Sequence, residues 1–295
     1  MAISFDRRQL LWSAALLVPA RGRADDSARE TPLQLAIKRI KALEAQGGGR
    51  IGVAALDTAS RKTLDYRSGE RFPMCSTFKF LAVANILQRV DAGRAHLDDR
   101  IIFGAADLLE YAPVLRKHVA EGAMSIGALC AAAIAWSDNS AANLLLRVLG
   151  GPAEVTRYIR TFGDETTRLD RIEPDLNAAT PGDDRDTTTP LAMLGDMEAI
   201  LLGWALSEAS RRQLSAWMSE SPLGRKGFRA GIPQAWGVAA KTGSGGHGTM
   251  NCVGLLSPPD RAPILAAAYY TGSSAPPDDR AATLQGVAEI IAGVF

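Results

Sequence analysis

Cysteine and histidine are scarce in this 295-residue chain, with three of each. Three thiols cannot build a disulfide framework, and with three imidazoles they leave little material for a metal site. An excess of one charge is also missing. The 33 Lys+Arg against 32 Asp+Glu give a formal net charge of +1, too balanced for a protein that binds nucleic acid through its phosphates. No internal repeat, low-complexity linker or run of about 18 apolar residues occurs, so nothing suggests a solenoid, a flexible tether or a transmembrane helix. What remains is ordinary: 47% apolar and 22% charged residues, enough for a sizeable core. At this length the chain is one large domain or two intimate ones.

The first segment, Met1–Ala24, reads as a cleaved export signal. Arg7 and Arg8 precede the short apolar stretch Leu10–Val18, and the small residues Gly22 and Ala24 follow where a peptidase needs them. Asp6-Arg7-Arg8-Gln9-Leu10-Leu11 is similar to a degenerate twin-arginine signal, and a short amphipathic first helix is the alternative. Removal of this segment leaves 29 basic and 31 acidic residues. The mature chain is expected to be soluble, without membrane insertion, in the periplasm or secreted.

Apolar residues at helical spacing predict a helix over Thr31–Glu44, ended by Gly47-Gly48-Gly49. Ile51–Leu56 and Thr63–Tyr66 flank a turn and predict a hairpin. From Ser76 to about Glu220 the pattern is helices and irregular loops. Strand signals return at Val238–Thr242, Asn251–Leu256 and Ile264–Tyr270, and a last helix is predicted over Asp279–Ala292. The simplest packing joins early and late strands in one antiparallel sheet flanked by the terminal helices, with the helical block as a second lobe. The expected class is therefore α+β, with an α/β lobe from residues 25–68 and 219–295 and an all-α lobe from residues 69–218. Thr166–Pro190 has no periodicity, and loops this long are usually functional or disordered. Arg171 and Asp186 lie near its ends, placed to close its neck as an ion pair.

Four short motifs carry chemistry. Ser76-Thr77-Phe78-Lys79 opens a predicted helix, and i,i+3 spacing puts hydroxyl and ammonium on one face. A Ser three residues before a Lys arises by chance about once in a chain this long, and a helix-capping serine beside a surface lysine explains it as well. Its setting adds weight: the helix N-terminus offers N–H donors to an oxyanion, and Phe78, Phe80 and Leu81 should partly desolvate Lys79 and lower its pKa. Ser137-Asp138-Asn139 occurs by chance in roughly one chain in twenty. It reads either as a capped turn or as a proton-carrying hydroxyl beside an amide that holds a substrate amide. Lys241-Thr242-Gly243-Ser244 ends a strand, where a cation and two hydroxyls suit a carboxylate and Gly243 lets a substrate lie close; an ordinary Gly-rich hairpin is the alternative. Glu173 and Asn177, four residues apart in the unassigned loop, could hold and activate a water, and Pro174 makes a cis bond at Glu173 tolerable.

Taken in order, the four resemble the signature of the class A serine β-lactamases. The resemblance runs from about Thr31 to the C-terminus and includes Phe72-Pro73-Met74-Cys75 and Thr187-Thr188-Thr189-Pro190. It implies the two-lobed fold shared with D,D-peptidases and hydrolysis of penicillins and cephalosporins through a serine acyl-enzyme. Ser76 would be the nucleophile, with the N–H groups of Ser76 and Ser244 as the oxyanion hole. Ser137, assisted by Lys79 and Lys241, would protonate the leaving nitrogen, and Glu173 with Asn177 would activate the deacylating water. Lys241, Thr242 and Ser244 would hold the substrate carboxylate, Asn139 its side-chain amide, and Tyr111 would border the cleft. No cofactor or metal is implied, the partner is a small-molecule β-lactam, and a monomer is expected.

Three departures from the family pattern stand out. Many relatives place a carboxylate-binding arginine where this chain has Met250, and the alternative positions hold Gly227 and Ala281; Arg229 or Arg280 are the substitutes within reach, and weaker carboxylate anchoring is expected. The common disulfide partner of Cys130 would fall near Ala84, so that bond is missing. Cys75 precedes the nucleophile as in the carbapenem-hydrolysing group, but Gly245 stands at its partner's place, so all three thiols are expected as buried small side chains. A penicillin-binding D,D-peptidase is the nearest rival, separated by Glu173 with Asn177. A non-catalytic wall-binding or sensor domain is the rival from another class. A Ser-His-Asp hydrolase is poorly supported, since His96 and His118 stand in no motif and His247 falls in the Gly-rich hairpin.

Overall fold

The computed structural model describes residues 30–225 and 227–295, so the expected export segment Met1–Ala24 lies outside the described residues. The chain begins with α1 (Pro32–Gly47), opened by a capping box between Thr31 and Gln34 and by Pro32 in its first turn. The hairpin β1 (Arg50–Asp57) and β2 (Thr63–Tyr66) follows, then the two-residue strand β3 (Phe72–Pro73). A 3-10 turn over Cys75–Thr77 leads into α2 (Phe78–Asp91). The helical block continues with β4 (Arg100–Ile102), α3 (Leu115–His118), β5 (Ala123–Ser125), α4 (Ile126–Ala135), α5 (Asn139–Leu149) and α6 (Pro152–Arg160). After the long loop come β6 (Thr187–Thr188), α7 (Pro190–Met197) and α8 (Glu208–Ser219). The chain then returns to the sheet with β7 (Gly237–Gly245), β8 (Thr249–Ser257) and β9 (Ile264–Thr271), and ends in α9 (Pro277–Val294).

The main sheet is five-stranded and antiparallel, in the order β2-β1-β9-β8-β7. Side-chain alternation divides its apolar residues between two cores. Ala54, Leu56, Leu265, Ala267 and Tyr269 join the core shared with the helical block. Val53, Ala55, Ala266, Ala268 and Tyr270 join the core under α1 and α9. The central strands β1 and β9 are therefore apolar on both faces, which is why they read as continuous runs. Among the described strands β7 lies at the edge of the sheet, paired with β8 on one side only. Helix starts follow the caps in the sequence: Ser125, Asp138, Thr189 and Ser207 each accept a backbone N–H of the helix they open, a contribution of about 1 kcal/mol per cap. No helix among the described residues is long and apolar enough to cross a membrane.

The late strands run longer than their apolar residues predict. β7 keeps its ladder through Gly243-Ser244-Gly245, paired with Asn251, Met250 and Thr249, although those residues have weak strand preference. The opening of α2 also differs from expectation: Ser76 sits in the preceding 3-10 turn rather than in the α-helix. The tighter turn still stacks residues i and i+3 on one side, so the Ser76–Lys79 relation survives.

Candidate active site

The turn bearing Ser76 is fixed against the sheet from below. Asn251, in the middle of β8, donates its amide to the carbonyls of Pro73 (2.8 Å) and Met74 (3.1 Å). Thr77 Oγ1 donates to Met74 O at 2.8 Å. A Cβ at Gly243 would come within 2.8 Å of Met74 O, so only glycine lets β7 pass this close to the turn. Edge strand and serine are thereby brought to one rim.

Ser76, Lys79, Ser137, Glu173 and Lys241 converge there, each less than a tenth exposed, with the half-buried Asn139 beside them. Lys79 Nζ lies 2.9 Å from Ser76 Oγ, 2.9 Å from Glu173 Oε1, 2.8 Å from the Ser137 carbonyl and 2.6 Å from Asn139 Oδ1. Ser76 Oγ is 3.5 Å from Glu173 Oε1. Ser137 Oγ stands between two ammonium groups, 3.3 Å from Lys79 Nζ and 3.0 Å from Lys241 Nζ. With both ammonium groups donating to it, its own proton is free to point into the cleft. Asn139 spends its carbonyl on Lys79, which leaves its NH2 for a ligand. Burial pushes the Lys79 ammonium below the usual lysine range, and the neighbouring Glu173 opposes that shift. Lys241 is pushed well below its ordinary value by burial and by the charge of Lys79.

The loop that carries Glu173 is closed at its neck as its end charges predict. Arg171 Nε donates to Asp186 Oδ2 at 2.5 Å, while Asp186 Oδ1 accepts the backbone N–H groups of Asp170 and Arg171. The Glu173–Pro174 bond is cis. Asn177 Nδ2 donates to Glu173 Oε2, and Asn143 holds the Glu173 backbone from both sides, accepting from its N–H and donating to its carbonyl, each at 2.9 Å. The loop also rests on β7, with Gly246 N–H donating to Asn177 O at 2.8 Å. A Cβ at Gly245 would meet that same carbonyl at 2.6 Å and Cys75 Sγ at 2.5 Å.

Asp138, fully buried, organises the opposite rim. It caps α5 through Ala141 N–H and accepts the N–H groups of Val114 (2.9 Å) and Leu115 (3.0 Å). Asn139 N–H donates to Tyr111 O at 3.1 Å. Tyr111 is thus held at the cleft edge, 47% exposed. The capped-turn reading of Ser137-Asp138-Asn139 holds, with Asp138 as the cap, and the same turn sets Ser137 and Asn139 at the cleft wall. The cleft has a volume of about 750 Å³; Ser76, Tyr111, Ser137, Asn139, Asn177, Thr242 and Ser244 line it, while Lys79, Glu173 and Lys241 lie behind that surface. The arrangement offers a nucleophile, two proton carriers, a carboxylate beside an amide, and a cationic edge strand.

All ten residues singled out in the sequence meet around this cleft or directly behind it. Asn143 and Asn251 were not among them. Each carried a signal: Asn143 lies one helical turn beyond Asn139, and Asn251 is an amide within an apolar strand. Neither Arg229 nor Arg280 lines the cleft; Arg280 Nη1 donates to Ala275 O. Arg225 does line it, and Met250, Gly227 and Ala281 form part of its wall. Cys75, Cys130 and Cys252 are free and buried.

Comparison with known proteins places this geometry. Residues 35–295 match the family model described as the beta-lactamase enzyme family. The chain is 44% identical over 254 residues to Beta-lactamase CTX-M-25 of Escherichia coli, covering 86% of this chain and 87% of that protein. It is 41% identical over 285 residues to Beta-lactamase CTX-M-8 of Citrobacter amalonaticus, 97% of each. Among solved structures, the ancestral (GNCA) class A β-lactamase superposes with a TM-score of 0.87 at 51% identity, over 88% of this chain and 100% of that one. With the serine, two lysines and loop carboxylate gathered on that fold, the chain belongs to the class A β-lactamase family.

Proposed function

We propose that this protein hydrolyses β-lactams, penicillins and cephalosporins among them, through an acyl-enzyme on Ser76. The observation that carries the proposal is Ser76 Oγ, 2.9 Å from Lys79 Nζ and 3.5 Å from Glu173 Oε1 at the floor of the cleft. Ser76 Oγ attacks the lactam carbonyl while its proton leaves toward the Lys79–Glu173 pair. The backbone N–H groups of Ser76 and Ser244 receive the oxyanion, each such donor being worth about 2.7–4 kcal/mol. Collapse of the tetrahedral species breaks the C–N bond, and Ser137 Oγ, flanked by two ammonium groups, gives its proton to the nitrogen. It is reprotonated through Lys79 by the proton that left Ser76, so that Glu173 is again a carboxylate. Glu173, with its second oxygen held by Asn177, then takes a proton from water, which attacks the ester carbonyl; the acyl C–O bond breaks and Glu173 returns that proton to Ser76 Oγ. Lys241, Thr242 and Ser244 bind the substrate carboxylate, Asn139 its side-chain amide, and Tyr111 packs against the bound ring system.

The Glu173–Asn177 pair favours a hydrolase over a D,D-peptidase, in which no such pair frees the acylated serine. Export to the periplasm through Met1–Ala24, and action as a monomer, complete the proposal. A chromogenic cephalosporin tests it. The parent is expected to turn over, Ser76→Ala to be inert, and Glu173→Ala to accumulate a covalent adduct visible by mass spectrometry. A long-lived adduct on the parent would overturn it in favour of a peptidase or sensor.

A further inference from the structure

The cleft is larger than its reacting groups need, and its surplus lies on the far side of the edge strand. Lys241 and Gly243 face the helical block, so alternation turns Thr242 and Ser244 toward α9. Their strand partners Cys252 and Met250 share that face. Across from them stand Gly227, Phe228, and Ala281 and Leu284 of α9, and all of these residues line the same continuous cavity as Ser76. The recess exists because side chains are absent or small at two places. A Cβ on Gly227 would meet nothing nearer than Ala281, at 3.7–3.9 Å, and Gly227 has an ordinary backbone conformation at φ −118°. Apart from Arg225, which is exposed, none of the described lining residues is charged.

We propose that this recess is a substrate subsite for an apolar substituent carried on the ring atom next to the carboxylate-bearing carbon. The proposal rests on the β-lactamase reading above and adds to it a substrate class. The hydroxyls of Thr242 and Ser244 stand on the boundary between the reacting cleft and the recess, so a carboxylate held by them stops there. A group attached one atom further along the ring is carried past them toward Met250 and Phe228. A charged group entering between those walls would lose its hydration without gaining a partner, whereas an aryl or alkyl group removes apolar surface from water. Cephalosporins have the required connectivity, with a variable substituent at the carbon adjoining the one that bears the carboxylate.

The test uses two cephalosporins with the same acylamino side chain, one with an aryl-vinyl group at that carbon and one with methyl. They are assayed on the parent, Gly227→Leu and Ala281→Leu, with circular dichroism to verify folding. Filling the recess is expected to raise KM for the aryl-vinyl substrate about tenfold, while KM for the methyl substrate and both kcat values stay within about twofold. An equal change for both substrates, a loss of activity on both, or no change would overturn the subsite. Failure of the parent to turn over the methyl substrate would instead count against the hydrolase reading itself.

Discussion

Asn143 gives the sharpest test of how the loop carboxylate is held. Its side chain accepts the Glu173 N–H and donates to the Glu173 carbonyl, both at 2.9 Å, from a position on α5 one turn beyond Asn139. Asn143→Ala removes both bonds and leaves two backbone groups of a buried loop residue without partners, a cost of about 2–3 kcal/mol. For a domain of this size that corresponds to a fall in Tm of roughly 5–10 °C. The kinetic consequence is separate. A shift of about 1 Å in a positioned catalytic group can cost about 10²-fold, and Glu173 is assigned to the deacylating water. Steady-state kcat should therefore drop about 100-fold while acylation persists, giving a burst of product and an acyl-enzyme detectable by mass spectrometry in rapidly quenched samples. Two results would refute the reasoning. If Tm falls and kcat holds, Asn143 stabilises the loop without positioning the carboxylate. If kcat falls with no acyl-enzyme accumulating, the damage lies at Ser76 and not at Glu173.

Much of this architecture is legible from residue pattern alone, and the exceptions have physical causes. The hairpin and the three late strands announce themselves because β1 and β9 are buried on both faces and leave uninterrupted apolar runs. The ends of β7 are invisible to that signal. Gly243 and Gly245 have no side chain to pack on the pleat, and they belong to the strand because the serine turn and the loop at Asn177 press against them. The ion pair of Arg171 with Asp186 could be foreseen from opposite charges at the two ends of one loop. The clamp by Asn143 could not, since it joins a helix to a loop residue thirty positions away. The recess behind β7 is hidden for a related reason. It depends on two side chains too small to fill a space, at positions 227 and 281, and absent atoms leave no periodicity to read.

The three thiols are buried, and burial pushes Cys75 and Cys252 up to about 12, with Cys130 higher still. At pH 8 a thiol of pKa about 12 is ionised in only about one part in 10⁴, so the folded enzyme should resist a disulfide reagent for hours and yield three equivalents once denatured; rapid labelling in the native state would contradict the packing. Asp196 is buried against Asp164, and burial, together with the charge of Asp164 and a hydrogen bond to it, raises its pKa well above the carboxylate range. A carboxyl with a raised folded pKa supports the fold at low pH and loses that support as pH rises through the raised value. Asp196→Asn should therefore add roughly 1–3 kcal/mol at pH 8 and progressively less toward pH 4, and a gain independent of pH would exclude this cause. Lys241 presents the converse case. Its hydrogen bonds go to neutral oxygens, Ser137 Oγ and Thr242 O, so it is a buried cation still short of a counter-ion. Burial and the charge of Lys79 hold its pKa well below the ordinary lysine value. A bound substrate carboxylate supplies the opposite charge and raises that pKa. Binding is then linked to Lys241 carrying its proton: kcat/KM falls as pH rises through the depressed pKa of the free enzyme, while kcat, measured on the carboxylate complex, turns down only at higher pH. Lys241→Arg keeps the charge at every accessible pH, so its alkaline limb in kcat/KM should move upward relative to the parent. A limb that stays where it was would assign the titration to another group and leave Lys241 without its proposed role as the ammonium that receives the carboxylate.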